Sequence, residues 1–195
     1  MKNLLFVFVF AFTFSAVSQH KILPKDIQIK TALLAAPEMY RDSTAVLGYD
    51  FGGKLITLRE GINGMICLAD DPNKKGISVA CYSAELEPFM DSGRTLSAEG
   101  KSYEEKEESR KSQIDAGTLK MPEEPSMVYV LGGEEEDYNV ETGELQNSKI
   151  RYVLYKSYMT GKSTGLPTKP QTPGMPWLMD AGTHRSHIMI SPVNK

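Results

Sequence analysis

The chain has 195 residues, with 22 Lys and Arg against 25 Asp and Glu, a net charge of −3. A mildly acidic chain carries no general field for nucleic acid or an anionic membrane, and it has no basic stripe with interleaved aromatics. Its length suits one domain large enough for a real core.

The first eighteen residues read as a secretory signal peptide. Lys2 supplies a positive start, Leu4 to Phe14 is almost wholly apolar, and Ser15-Ala16-Val17-Ser18 places small residues before Gln19. The apolar run falls well short of the roughly 20 residues that span a bilayer, which favours cleavage over an uncleaved anchor. No cysteine stands at the break to carry a lipid. The expectation is an exported chain, periplasmic or secreted. Its mature part would be one domain over residues 19–195, with no further stretch of membrane-spanning length.

Asp26 reads as a helix cap. Ile27, Ile29, Ala32, Leu33, Ala36 and Met39 follow with helical period, and Pro37 stops the regular part near Ala35 or Ala36. Residues 44–49, 54–59 and 65–68 read as three short strands. Asp50-Phe51-Gly52-Gly53 and Glu60-Gly61-Ile62-Asn63-Gly64 are the turns between them, an antiparallel meander. Cys67 and Cys81 are the only cysteines, and an oxidising compartment would join them in a disulfide. Closing a loop of about 15 residues would contribute roughly 3 kcal/mol.

A helical stretch begins near Ser83. Residues 97–113 are rich in Glu and Lys and poor in large apolar residues, so they read as one solvated central helix or a flexible charged linker. Glu107 and Lys111 stand there at i, i+4 in the favourable order. Residues 126–131 and 150–155 read as strands, with the acidic loop Glu134-Glu135-Glu136-Asp137 between them. Pro167, Pro170, Pro173 and Pro176 make residues 160–177 a long surface loop. Residues 177–179 and 187–190 are short strands around a turn at Ala181-Gly182-Thr183. The fold class is α+β: an N-terminal helix, a mainly antiparallel sheet and one longer central helix.

No catalytic motif is complete. His184 and His187 are candidate ligands for zinc or copper. A strand would point residues three apart to opposite faces, and a third ligand is not named, although Asp180 is near. The bland alternative is one exposed turn histidine and one bonded at a sheet edge. Asp70 and Asp71, with Asn73, could offer oxygen ligands to calcium, but the spacing of a calcium loop is absent and Asp-Pro starts turns without an ion. The acidic run 134–137 is a solvated loop or a weak cation site. Gly161-Lys162-Ser163 imitates the end of a phosphate loop, but Lys156 stands where the first glycine is needed.

Three passages together resemble a family of exported bacterial proteins of unknown function. They are Ile29-Lys30-Thr31-Ala32-Leu33-Leu34-Ala35-Ala36-Pro37, then Leu58-Arg59-Glu60-Gly61-Ile62-Asn63-Gly64-Met65-Ile66-Cys67-Leu68-Ala69-Asp70-Asp71-Pro72, and a C-terminal part with Pro176-Trp177-Leu178-Met179 and His187-Ile188-Met189-Ile190. Met65 stands where members of that family usually have tryptophan, and a proline-histidine pair that they often carry before an apolar strand is missing near residues 150–155. The resemblance implies export and one domain, and supplies no mechanism.

The function expected is a binding or structural domain of the periplasm or cell surface, with a small molecule or a protein as ligand and no evident cofactor. The alternative is a metal-assisted hydrolase, with a divalent metal, His187 and a carboxylate from Asp70 or Asp71. A third reading makes the surface around Met175, Trp177 and Met179 a partner contact.

Overall fold

The computed structural model describes residues 22–193. The leader expected at residues 1–18 lies outside them. Helix α1 (Lys25–Ala32) runs into a 3-10 turn at Leu33–Ala35, and a second 3-10 segment covers Glu38–Ser43. Strands β1 (Ala45–Tyr49), β2 (Leu55–Arg59), β3 (Met65–Leu68) and β4 (Ile77–Ser83) follow. Helices α2 (Glu87–Ala98) and α3 (Tyr103–Asp115) separate them from β5 (Ser126–Gly133). A two-stranded ribbon of β6 (Tyr138–Asn139) and β7 (Glu144–Leu145) precedes β8 (Lys149–Tyr155). The one-turn helix α4 (Gly161–Thr164), β9 (Trp177–Met179) and β10 (His187–Ile190) complete the order. Eight strands form one sheet in the order β2-β1-β3-β4-β5-β8-β10-β9.

All neighbours are antiparallel except one pair, and the mainly antiparallel α+β reading holds. The exception corrects the expected meander: β3 lies parallel to β1, on the side away from β2. The chain therefore has to pass over the start of β1. It does so at Gly61, where a Cβ would lie 2.1 Å from the Ala45 nitrogen and 2.5 Å from the Thr44 carbonyl carbon. Polar groups hold the crossing on both sides. Ile62 N–H donates to Ser43 O at 2.8 Å. Asn63 Nδ2 donates to Tyr40 O at 2.8 Å and to Thr44 Oγ1 at 2.9 Å. Arg59 donates from Nε and Nη2 to Thr44 O at 3.0 and 2.7 Å, and from Nη2 to Arg41 O. The Arg-Glu-Gly-Ile-Asn-Gly passage is thus a backbone crossing held by its own side chains.

The two faces of the sheet are covered differently. On one face, cross-strand neighbours Val46, Cys67 and Cys81, with Val79 and Leu131, meet Ala32, Ala35 and Ala36. Three alanines give the α1 segment a short stand-off, so side chains from the strands fill the layer. On the other face, Tyr82, Val128 and Val153 meet Leu86, Met90 and Met121 beneath α2 and the loop after α3. Full burial of each large aliphatic side chain in these layers contributes about 1.5–3 kcal/mol.

Helix α1 departs from its expected apolar face. Met39 is exposed, while Gln28 and Thr31 are buried. Gln28 Nε2 donates to Leu23 O at 2.8 Å and Tyr49 O at 2.9 Å, and its Oε1 accepts from Tyr49 N–H at 2.8 Å. A buried amide with both ends bonded fastens the helix to the end of β1. The single central helix is also corrected: α2 ends at Ala98, and Ser102 starts α3 with a capping box closed by Glu105. Helix α3 has no buried residue.

Gly61→Ala is expected to lower unfolding stability by about 2–3 kcal/mol, because the methyl group meets backbone that cannot step aside. Gly100→Ala, with φ +77 and open space around it, is expected to cost only about 1 kcal/mol of left-handed strain. Urea midpoints of the two variants, compared with the parent, check the difference.

Candidate functional site

The four expected metal ligands fall into two groups. His187 lies in β10 and His184 in the turn before it, whereas Asp70 and Asp71 follow β3. Four strand steps separate β3 from β10, about 19 Å at about 4.8 Å per step. Among the described residues, no group of three His, Cys, Asp or Glu side chains could hold a metal ion. The aspartates serve their own loop: Asp70 Oδ1 accepts from Ser78 N–H at 2.7 Å, and Asp71 Oδ1 from Asn73 N–H at 3.0 Å. The hydrolase pairing of His187 with Asp70 or Asp71 is not brought together.

Neither histidine sits as the bland alternative expects. His184 is 7% exposed, not a surface turn residue, and β10 is flanked on both sides, with β9 as the edge. His187 Nδ1 lies 2.9 Å from Arg185 O and 3.9 Å from an Asp180 carboxylate oxygen, and its ring stacks on Tyr155 at 4.8 Å. Asp180 adopts φ 50, which turns its carboxylate back toward the strand end. There it pairs with Arg185 Nη2 at 2.9 Å, while Arg185 Nε lies 3.0 Å from Glu107 of α3. Glu107 also pairs with Arg110, which lies 4.1 Å over the Phe89 ring. The expected Glu107–Lys111 pair is replaced by this inward network, and Lys111 pairs with Asp115 instead. A half-buried ion-pair chain, rather than apolar burial, holds α3 against the sheet.

His184 completes that cluster. Its ring meets Phe89 edge-on at 6.2 Å, and its Nε2 is buried without a hydrogen-bond partner. Burial holds its imidazole below the usual histidine value; Arg185, Arg110 and Lys111 act in the same direction and Glu107 opposes them. Histidines 184 and 187 thus serve the docking of α3 and β10.

A cleft of about 770 Å³ lies elsewhere. It opens beyond the carboxyl ends of the parallel pair β1 and β3, beneath the start of α1, the usual side for a ligand crevice beside parallel strands. Ile22, Leu23 and Ile27 form one wall, Phe51, Pro72 and Ile77 another, and Tyr138 and Val140 close the far side. Phe51, at the β1–β2 turn, is 93% exposed. Gln28 and Thr31 line the floor, Thr31 Oγ1 bonding to Tyr138 Oη at 2.7 Å. Asp26, Asp70, Glu135 and Glu141 complete the lining, and the described lining residues include no Lys, Arg or His. Burial, then the carboxylates of Asp71 and Asp70, push the Tyr49 hydroxyl up to about 12. Tyr49 therefore stays neutral, a hydrogen-bonding group in an acidic surround. The sequence offered no sign of this cleft except the separate Asp70-Asp71 and Glu134–Asp137 clusters, of which Asp70 and Glu135 reach its lining.

The surface around Trp177 is a second, shallower groove of about 570 Å³ against the β9–β10 edge, lined by Met175, Trp177, Met179 and Met189 with Pro170 and Pro173. The expected disulfide is corrected. Cys67 and Cys81 stand directly opposite one another in the β3–β4 register, both fully buried, and both are free thiols. The contact with the Cys81 thiol and burial push the Cys67 thiol far up, so Cys67 is not a ready nucleophile. No family model matches the chain, and comparison with curated proteins and with solved structures returns no match.

Two measurements check these assignments. Unfolded in denaturant without reductant, the chain is expected to release two titratable thiols, and almost none while folded; an unfolded chain with no thiol would restore the bridge. An unfolded histidine gains its proton near pH 6.5, while buried His184 resists it. Stability contributed by neutral His184 is therefore present above pH 6.5 and lost as pH falls below it. His184→Phe is expected to flatten the fall in unfolding free energy between pH 7.5 and 5.5, and equal falls in variant and parent would exclude this role.

Proposed function

We propose that the chain is an exported binding domain, with an amphiphilic cation as its ligand: an organic ammonium group attached to a short apolar body. The observation that carries this reading is the composition of the cleft. Its walls are aliphatic and aromatic, its volume falls within the range of small-molecule sites, and every charged side chain among its described lining residues is a carboxylate. An anionic ligand would meet only like charge among these described residues. A neutral apolar ligand would leave the acidic rim without use.

The parts have distinct roles in this reading. Ile27, Phe51 and Val140 would cover the apolar body. Asp26 and Glu141 would face the ammonium group from the helix start and from the loop after β6. Asp70 and Glu135 hold the wall through Ser78 N–H and Gly76 N–H and add to the negative field. Neutral Tyr49 and the Thr31–Tyr138 pair offer hydrogen bonds without charge. The leader-like first eighteen residues and the family resemblance support export.

The experiment is a melting and calorimetric titration with octyltrimethylammonium, using octanoate as the control of equal chain length. The cation is expected to raise the melting temperature and to bind with saturation, octanoate is expected to do neither, and added salt is expected to weaken binding. Asp26→Asn with Glu141→Gln should weaken the cation at least tenfold while leaving the melting temperature of the free protein within a few degrees. Equal binding of octanoate, or of the cation by the double variant, would overturn the reading.

A further inference from the structure

At the other end of the sheet, β8, β10 and β9 bring one cation and a set of apolar side chains to a common face. Arg151 and Val153 are two residues apart in β8 and so share that face. Val153 pairs with Met189 of β10, and Met189 with Trp177 of β9, which carries the face across three strands. Met179, two residues beyond Trp177, lies on it too, while Leu178 is buried on the opposite one. Pro170, Pro173 and Met175 line the same groove from the loop that leads into β9. Arg151 is exposed, and it is the one charged side chain among the described lining residues. No carboxylate among them opposes it.

We infer that this groove docks an extended, acidic and apolar peptide segment of a partner protein, with a carboxylate on Arg151 and an apolar or proline side chain on Trp177. Trp, Met and Arg are enriched where proteins meet, and Lys, Asp and Glu are depleted there. The described lining has that composition, with Trp177, three methionines and Arg151 and none of the depleted three. A guanidinium presents a planar fork of donors that a carboxylate accepts in two bonds, and a basic segment would meet it as like charge. Methionine side chains adapt to varied apolar partners. Pro170 and Pro173 fix φ in the wall, so less freedom is lost when a ligand binds. Gln171, Thr172 and Ser191 add amide and hydroxyl groups that can bond a peptide backbone. A sugar acid fits less well, because thioether and pyrrolidine groups leave most of its hydroxyls without a partner. A small carboxylate fits less well, because Arg151, Gln171 and Pro173 are exposed and do not enclose a ligand. Two strand steps and two residues separate Trp177 from Arg151, about 12 Å between backbone positions, which an extended peptide spans in about four residues.

The site is separate from the acidic cleft, and its test reads a different signal. Because Trp177 is the only tryptophan, its emission reports on this groove alone. The probe is a displayed library of random nonapeptides without Trp or Tyr, selected on the whole chain. Enriched peptides are expected to carry Asp or Glu within four positions of a proline or large apolar residue. Made as free peptides, they are expected to shift Trp177 emission with saturation. Arg151→Gln is expected to weaken them three- to fivefold, the scale of an exposed ion pair. Arg151→Glu is expected to weaken them at least tenfold and, when selected on afresh, to turn the enriched charge to Lys or Arg. Arg151 is exposed, so both variants should melt within a few degrees of the parent, and the Gln variant decides should the Glu variant unfold. Three results would overturn the inference: no enriched peptide, enriched peptides without acidic bias, or peptides that bind the Arg151 variants as tightly as the parent. Should no peptide enrich while trigalacturonate shifts Trp177 emission, the groove belongs to an anionic sugar instead.

Discussion

Between Arg59 and Met65 the chain lies directly on the backbone at Thr44 and Ala45, in a gap that admits no Cβ at position 61. That contact sends β3 to the far side of β1 and makes these two like-directed strands hydrogen-bonded neighbours. With β3 so placed, Cys67 falls opposite Cys81, and the loop carrying Asp70 and Asp71 emerges beside Tyr49. The acidic cleft forms beside two strand ends that a meander would have separated by β2 and that here lie side by side. The hydrogen bonds of Arg59 and Asn63 to Thr44, Arg41 and Tyr40 keep the crossing from being only a steric accident.

Each sheet face is closed by a different physical means. Small residues from Ala32 to Ala36 settle onto Val46, Cys67 and Val79, and the Gln28 amide secures the helix to Tyr49. Helix α2 uses Leu86 and Phe89, and Arg94 ties it to the sheet through Glu87 and the Tyr82 hydroxyl. Helix α3 has no apolar stripe to bury. Its attachment is the chain of charges from Arg110 through Glu107 and Arg185 to Asp180, backed by the rings of Phe89 and Tyr103. Such an attachment weakens when salt or protonation weakens its charges, so α3 is the element least secured by the hydrophobic effect.

This division also separates structure from ligand chemistry. The histidines, the residues most suggestive of catalysis, are taken up in holding α3 and β10. The groups that line open clefts are carboxylates among aliphatic walls at one end of the sheet, and methionines, prolines and Trp177 beside Arg151 at the other.

The strands at 45–49, 55–59, 65–68, 126–133, 149–155, 177–179 and 187–190 were legible because β-branched and aromatic residues stand between glycine and proline turns, a local pattern that needs no partner. The end of α1 before Pro37 was legible for the same reason. The parallel placement of β3 was not, because the glycine that permits it looks like any turn glycine until the backbone beneath it is known. Glu107 was legible as a charge but not as a half-buried one: i, i+4 spacing offered Lys111, and only the fold supplied Arg185 from the far end of the chain. Local sequence determined the elements, the turns and the residue chemistry. Tertiary structure alone decided which carboxylates share a cleft and which histidines are buried, because those distances are set by strand order and register rather than by separation along the chain.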